Sequence, residues 1–365
     1  MLRLVMDTVR PEMLAAVDVM DPGGRFLVRA GRPLQEKHIE IMQSLGFGSA
    51  YVNLPYLSQT PPPEDVVRPE LRLEAVRVIR QVYDDFRTKG DVDGNPLREL
   101  ATKLLNEVIL NRGRLFQFVD LRTPDTYLSS HVFNVAVLSL LTGLKMEYSP
   151  AKLHELAIGA LTMDIGEMLV SPEILRKKGK LEPAEMLEVK KHPETGFEGL
   201  RKKMRGLPAP SMHVAYQHHE SFDGKGYPRG IGGGDIHEFA RIASAADMYD
   251  ALLSDRPFRH YYLPHEAVSI LHALSGRLLD PEIVTHLTSC IAVYPQGSLV
   301  QLDTQELCEV EAVNVQHPDR PRLQLLTDAW GNRRKERESV ALEKMSSRYI
   351  TKVLKDQEIM DWLVS

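Results

Sequence analysis

The sequence has few of the features that mark disulfide-rich, membrane-spanning or nucleic-acid-binding proteins. It contains two cysteines, Cys290 and Cys308, and neither lies in a spacing typical of paired metal ligands, so we expect ordinary thiols in a reducing compartment. The net charge of -5 argues against a nucleic-acid polymer as partner, since that would need a basic stripe. The longest apolar run, residues 132–146, is too short and too interrupted to span a bilayer.

Charged residues near the start, including Arg3 and Asp7, leave no apolar segment of the kind found in signal peptides. Together with the absence of a membrane span, this predicts a soluble, cytoplasmic protein. The 365 residues and 43% hydrophobic content allow a sizeable core divided among two or three units.

Residue patterns predict a mainly α fold with two small additions. Short apolar runs around 21–24 indicate a hairpin, and residues 38–45 and 50–52 indicate a helix and a strand. Helical periodicity then dominates, and strand-like runs follow residue 294. The predicted division is an α+β module (1–58), a proline-rich linker (59–66), an all-helical domain (67–293), a short β appendage (294–330) and a charged, partly helical tail (331–365).

Residues that commonly bind metals are concentrated in the helical domain. The stretch 216–228 contains the adjacent pair His218 and His219, followed by a turn rich in glycine and proline. The same domain also contains His131, Asp164, His192 and Asp247. A single buried histidine or acid is more often a satisfied core residue, but a buried carboxylate is costly unless it is paired or bound to an ion. Four histidines and two acids together favour a centre for Fe, Mn or Zn.

The segment His218-His219-Glu220-Ser221-Phe222-Asp223-Gly224-Lys225-Gly226-Tyr227-Pro228 resembles the hallmark motif of the HD-GYP family, a bacterial branch of the HD phosphohydrolases. The similarity runs from about residue 124 to residue 293, roughly half of the chain. Members of this family are helical, bind two or three metal ions and typically hydrolyse the second messenger cyclic di-GMP. The resemblance therefore implies a helical metal-dependent phosphodiesterase in bacterial signalling.

The resemblance also implies roles for individual residues. Asp164 would bridge two ions, one completed by His192, His218 and His219 and the other held by His131 and Asp247. Gly226, Tyr227 and Pro228 would form the loop beside the substrate. Cations for phosphate would come from Lys225, Arg256 and Arg259, although these residues are equally typical of a solvated surface.

The chain departs from the family pattern next to the bridging acid. Met163 replaces the usual histidine, and Glu167 replaces the usual lysine. Tyr127 stands where a glutamate would serve a third ion, so two ions are expected, or one if the site beside Met163 is empty. Glu167 follows Asp164 by three residues and lies on the same helix face. It would then either supply a replacement carboxylate or repel the substrate phosphate.

These departures leave two functions open. The leading one is a cyclic di-GMP phosphodiesterase, with Asp164, Glu167 and Lys225 in the catalytic site. The alternative is an inactive signalling module that binds a cyclic dinucleotide or partner proteins such as diguanylate cyclases. An HD phosphohydrolase for another nucleotide is a weaker third hypothesis. A homodimer is compatible with each of them.

Overall fold

The computed structural model describes residues 2–21, 25–54, 57, 65–117, 123, 126–175, 177, 179–254 and 261–364. The chain divides into two compact units. The first comprises residues 1–65, 117–127 and 291–365, and the second comprises residues 66–116 and 128–290. Along the sequence, the segments of the first unit therefore precede, interrupt and follow those of the second.

The described residues of the first unit form two α-helices and ten short strands. The helices are α1 (Glu36–Ser44) and α13 (Asp356–Val364). The strands are β1 (Leu2–Val5), β2 (Leu14–Ala15), β3 (Val19–Met20), β4 (Phe26–Val28), β5 (Ser49–Asn53), β6 (Leu299–Leu302), β7 (Leu307–Ala312), β8 (Arg322–Thr327), β9 (Arg333–Ala341) and β10 (Ile350–Val353). They form an antiparallel sheet β1-β5-β2, a hairpin β3-β4 and a five-stranded antiparallel sheet β10-β6-β7-β8-β9.

The five-stranded sheet continues beyond residue 330, where the sequence analysis expects a charged tail. Both β9 and β10 belong to it. The N-terminal and C-terminal segments also share one hydrophobic cluster, in which Leu4 and Val52 are buried together with Leu299 and Ile359. The backbone N–H of Val5 donates a hydrogen bond to the Asp356 carboxylate at 2.7 Å. The two ends of the described chain therefore stabilise each other within this unit.

The second unit is all-helical in its regular structure. Its helices are α2 (Pro69–Thr88), α3 (Asn95–Leu110), α4 (Tyr127–Lys145), α5 (Pro150–Leu161), α6 (Pro172–Leu175), α7 (Pro183–Val189), α8 (His192–Lys203), α9 (Ala209–Gln217), α10 (Glu238–Leu253), α11 (Pro264–Leu274) and α12 (Pro281–Thr288). Helix starts follow the local sequence. The Asp280 side chain, for example, accepts hydrogen bonds from the N–H groups of Glu282 and Ile283 at the start of α12, as an N-cap residue does.

Helix α4 is the core helix of this unit. By length and composition it is apolar enough to cross a membrane, but 78% of its apolar stretch is buried inside the fold. Such burial is expected for the central helix of a soluble protein, which is apolar on all sides. Several polar residues of α4 are consequently buried too, and His131 and Asn134 are 6% and 2% exposed.

Close packing fixes the helix that ends at the histidine pair. A Cβ atom on Gly159 of α5 would lie 2.5 Å from a methyl carbon of Val214 on α9, so α9 packs directly against the backbone of α5. The mainly α fold class, with a small N-terminal α+β module and C-terminal strands, is confirmed. Residues 59–64 of the predicted proline-rich linker (59–66) lie outside the described residues.

Candidate metal centre

Five segments of the helical unit place ligand-type side chains around one buried point. His131 lies on α4 and Asp247 on α10, whereas His192 begins α8. Asp164 follows the end of α5 and precedes a 3-10 turn, Ile165–Leu169. His218 caps the C-terminus of α9, and His219 follows it.

The two oxygens of Asp164 face different imidazoles. Oδ1 lies 3.2 Å from Nε2 of His218 and 3.5 Å from Nε2 of His192. Oδ2 lies 3.6 Å from Nε2 of His131, and that nitrogen is in turn 3.1 Å from Oδ1 of Asp247. Asp164 thus stands between two sets of donors, which is the placement of a carboxylate that bridges two ions.

Backbone hydrogen bonds orient the imidazoles on the Oδ1 side. Nδ1 of His192 lies 2.8 Å from the Val189 carbonyl oxygen, and Nδ1 of His218 lies 3.0 Å from that of Val214. A carbonyl oxygen only accepts, so each Nδ1 carries a proton, and Nε2, which faces Asp164, is the ring nitrogen that either donates to this carboxylate or binds an ion. Histidine ligands of metals commonly have such an outer partner.

The donor set fits a divalent metal. Ligand atoms of Asp164, His192, His218 and His219 all lie within 4.8 Å of one another. Burial and the adjacent His218 lower the pKa of His219 to about 3, so its imidazole is neutral and able to bind an ion. Burial alone would raise the pKa of Asp164, but hydrogen bonds from His192 and His218 hold it well below the ordinary value. Only nitrogen and oxygen donors take part, which favours Fe, Mn or Zn.

The described residues place one acid that the sequence analysis missed, Asp250, against His131. Its Oδ2 lies 2.6 Å from Nδ1 of His131, and its Oδ1 accepts a 2.8 Å hydrogen bond from Asn134. Burial lowers the pKa of His131, but hydrogen bonds to Asp247 and Asp250 outweigh it and raise that pKa well above its usual value. The available signal was spacing, because Asp250 follows Asp247 by three residues on one helix.

Glu167 lies on the 3-10 turn and not on the α-helix that the sequence analysis expected. Residues three apart eclipse each other in a 3-10 turn, so Glu167 still shares a face with Asp164. Burial and the Asp164 carboxylate raise the pKa of Glu167 to about 7. Met163, which precedes Asp164, is fully buried. Its thioether stands where the family pattern has a histidine, so the imidazole expected for the His131 side is missing.

The glycine-rich loop after the histidine pair packs directly on it. The Tyr227 ring stacks on His219 with ring centres 4.8 Å apart, and a Cβ atom on Gly226 would lie 2.5 Å from the Cα of Glu220. The Tyr227–Pro228 peptide is cis. Three of the loop residues expected to contact substrate therefore lie beside the imidazole cluster.

Glu220 anchors this loop through hydrogen bonds to its buried carboxylate. It is 3% exposed, and its carboxylate accepts backbone hydrogen bonds of 2.8, 3.0 and 3.2 Å from residues 229, 230 and 231. From the sequence alone, Glu220 is recognised only as part of the motif. A buried acid directly before a glycine turn was the signal for this anchoring role.

The expected phosphate-binding cations are placed differently. The Lys225 side chain is 82% exposed and lies 3.7 Å from Asp223, and Arg256 and Arg259 fall outside the described residues. Lys190, which was not predicted, lies with its ammonium 5.2 Å from the centre of the Tyr227 ring. A cation is thus present beside the loop, two residues before His192.

Comparison with known proteins identifies the surrounding fold. Residues 115–283 match the family model of the HD domain, and residues 299–361 match that of the KOW domain associated with the HD domain. A cyclic di-GMP phosphodiesterase of Pseudomonas aeruginosa is 30% identical over 64% of this chain and 56% of that protein. The chain carries an HD domain and resembles the HD-GYP family. The predicted resemblance is confirmed.

Other relatives of this chain differ in their named substrate. A cyclic di-GMP phosphodiesterase response regulator of Xanthomonas campestris is 33% identical over 48% of this chain and 46% of its own length. A 3′3′-cGAMP-specific phosphodiesterase of Vibrio cholerae is 34% identical over 49% of this chain and 38% of its own length. The chain spans about half the length of these relatives or less.

Proposed function

We propose that this chain is a metal-dependent phosphodiesterase that opens a cyclic dinucleotide, with cyclic di-GMP as first candidate. The observation that carries the proposal is the division of the Asp164 carboxylate, with Oδ1 facing His192 and His218 and Oδ2 facing His131. This arrangement supports two adjacent ions. The relatives named above support a cyclic dinucleotide as substrate.

In the proposed reaction, water attacks one phosphorus, a new P–O bond forms, and one P–O ester bond of the ring breaks. The leaving oxygen takes a proton, and the product is linear. When bound, divalent ions would act as Lewis acids on the phosphoryl oxygens and lower the pKa of the attacking water.

The protein's own residues would hold the reactants in place. Asp164 and Asp247 would fix the ions, and His192, His218, His219 and His131 would complete the two sets of donors. Glu167 would supply the carboxylate that replaces the imidazole lost at Met163. Tyr227, packed on His219, and Lys190 above it would contact a base and a phosphate. An aromatic ring and a cation are the groups that such a ligand requires.

The test is metal content and turnover measured on the same preparation. Purified protein, stripped of metal and reloaded with Mn²⁺, Fe²⁺ or Zn²⁺, is analysed for ions per chain and incubated with cyclic di-GMP and with 3′3′-cGAMP. We expect two ions and a linear product, and Asp164→Ala should abolish turnover. Two-ion protein that releases no product from either nucleotide would overturn the proposal.

The second candidate is a binding module without catalytic activity. Two observations favour it: the residue before Asp164 is a buried methionine where the family pattern has a histidine, and a second carboxyl group, Glu167, interacts electrostatically with Asp164. This candidate predicts that at most one ion binds. It also predicts that a cyclic dinucleotide binds with the same affinity before and after prolonged incubation and is recovered intact.

A further inference from the structure

A chain of three hydrogen bonds runs from helix α2 through α4 to α10 and ends at His131. The guanidinium of Arg72 donates to Oδ1 of Asn134 at 2.9 Å. Nδ2 of Asn134 donates to Oδ1 of Asp250 at 2.8 Å. Oδ2 of Asp250 lies 2.6 Å from Nδ1 of His131. Asn134 is 2% exposed and Asp250 is completely buried.

The chemistry of the participants fixes the direction of every bond in this chain. A guanidinium only donates, so Asn134 must present its oxygen to Arg72 and its NH₂ group to Asp250. An ionised carboxylate only accepts, so Nδ1 of His131 must carry a proton. When an ion replaces the proton on Nε2, the lone pair of that nitrogen is available on the side of the ring that faces Asp247 at 3.1 Å and Asp164 at 3.6 Å.

We propose that Arg72, Asn134 and Asp250 are positioning residues that hold His131 in the tautomer that binds a divalent ion. The proposal rests on the proposed function in one respect, namely that the His131 side of the centre binds an ion. His192 and His218 take their Nδ1 partners from the backbone of the preceding turn. His131 takes its partner from a side chain 119 residues away, so its orientation depends on this network.

The network matters more in this chain than it would with a second imidazole present. Three imidazoles in the described residues lie within 3.6 Å of the Asp164 carboxylate, and His131 is the one that approaches Oδ2. Met163 replaces the histidine that the family pattern would add there. A wrong tautomer at His131 would leave carboxylates alone on that side. Loss of the network should therefore affect one of the two ions and spare the other.

The decisive variant is Asp250→Asn. An amide offers one acceptor and one donor group, whereas Asn134 and the Nδ1–H of His131 both require acceptors. Either one bond is lost, or His131 changes to the tautomer protonated on Nε2. We expect about 10–100-fold weaker binding of one ion, as for other outer partners of metal-bound histidine, and unchanged binding of the other.

Two readouts distinguish positioning from a purely structural role. Calorimetric titration of metal-stripped protein with Zn²⁺ gives the affinity of each site. ¹⁵N NMR of the histidines in the Zn²⁺-loaded protein reports the state of each ring nitrogen, and the His131 signals are assigned by their loss in His131→Gln. The wild type should show a protonated Nδ1 and a metal-bound Nε2 at His131, and Asp250→Asn should lose that pattern.

A second variant acts at the partly exposed far end of the network and guards against misfolding. Arg72→Met should weaken the same ion in the same direction but less, and Arg72→Lys, which keeps a donor, should restore part of the affinity. Arg77→Met, at an exposed position of the same helix, is the matched control and should change neither affinity.

The proposal is overturned if folded Asp250→Asn and Arg72→Met keep both wild-type affinities and the wild-type His131 signals. It is also overturned if the wild type shows no ion at His131. Failure of the proposed function is a separate result. If the variants behave as expected and the two-ion wild type hydrolyses no cyclic dinucleotide, only the proposed activity fails.

Discussion

A Cβ atom on residue 166 would overlap the carbonyl oxygen of His192, and Gly166 also packs on the backbone of Gly196, whose own Cβ would lie 3.1 Å from the Gly166 nitrogen. The turn that follows Asp164 therefore touches α8 backbone to backbone. This contact brings the carboxylate within 3.5 Å of the His192 imidazole. Glycine is required at residue 166 for its small size.

We expect Gly166→Ala to separate the turn from α8. Overpacking of a tight contact typically costs about 1–3 kcal/mol, and the two backbones here leave no flexible side chain to yield. Chemical denaturation should show the loss of stability, and metal analysis should show fewer bound ions. Gly90→Ala, where an added Cβ meets no atom within 4 Å, is the control. Equal effects of the two substitutions would contradict this explanation.

Met163→His should restore a donor on the His131 side of the centre. Imidazole is a much better ligand than a thioether for a hard divalent ion. The ion on the His131 side should therefore bind more tightly, and turnover should rise. Adding Glu167→Lys should remove the excess negative charge and lower the KM for a cyclic dinucleotide. Calorimetric titration with Mn²⁺ and steady-state kinetics check the two effects. An unchanged Mn²⁺ affinity in Met163→His would show that residue 163 is not oriented toward the site.

Glu220→Gln should loosen the loop that packs on His219. The carboxylate accepts three backbone hydrogen bonds while it is almost fully buried, and bonds to a charged acceptor each contribute about 1.5–3 kcal/mol. The amide keeps one acceptor oxygen, so we expect faster amide hydrogen exchange at residues 229–231 and weaker nucleotide binding. Glu99→Gln, at an exposed position, should change neither measurement. Normal exchange in Glu220→Gln would argue against the anchoring role.

Removal of the metal should lower the stability of the helical unit. An ion that binds only the folded state adds about 2.7 kcal/mol when its concentration is 100 times its Kd. Stripped protein should therefore unfold at a lower temperature, and Mn²⁺ should restore the midpoint. The Asp164→Ala variant, which lacks the shared carboxylate, should respond far less. A midpoint in the wild type that is independent of Mn²⁺ would mean that no ion binds there.

Residue types and the family motif were enough to predict which side chains the fold brings together around Asp164. Several histidines and aspartates in one largely apolar helical domain favour a shared site, because a buried carboxylate is costly unless it is paired or bound to an ion. On that ground His131, Asp164, His192, His218, His219 and Asp247 could be named in advance as candidate ligands. The outer partners could not be named, because the 2.6 Å contact between Asp250 and His131 joins residues 119 positions apart. Only the packing of α4 against α10 creates it.

The strands beyond residue 330 were missed for a different reason. Strand prediction depends on alternation of buried and exposed residues, but seven of the nine residues of β9 are exposed. The strand lies at the edge of its sheet, where charged residues are common because they discourage pairing with other chains. A run such as Arg333 to Glu338 therefore has the composition of a tail and the backbone of a strand.

The shared cluster of the first unit has a consequence for biosynthesis. Its N-terminal residues leave the ribosome early, yet the Asp356 carboxylate that accepts from Val5 lies 351 positions later. The helical unit is complete before those late residues are made, so it can fold while the early strands still expose apolar side chains. We expect those strands to be the segment most dependent on chaperones, and their lasting protection to arrive only when α13 is made.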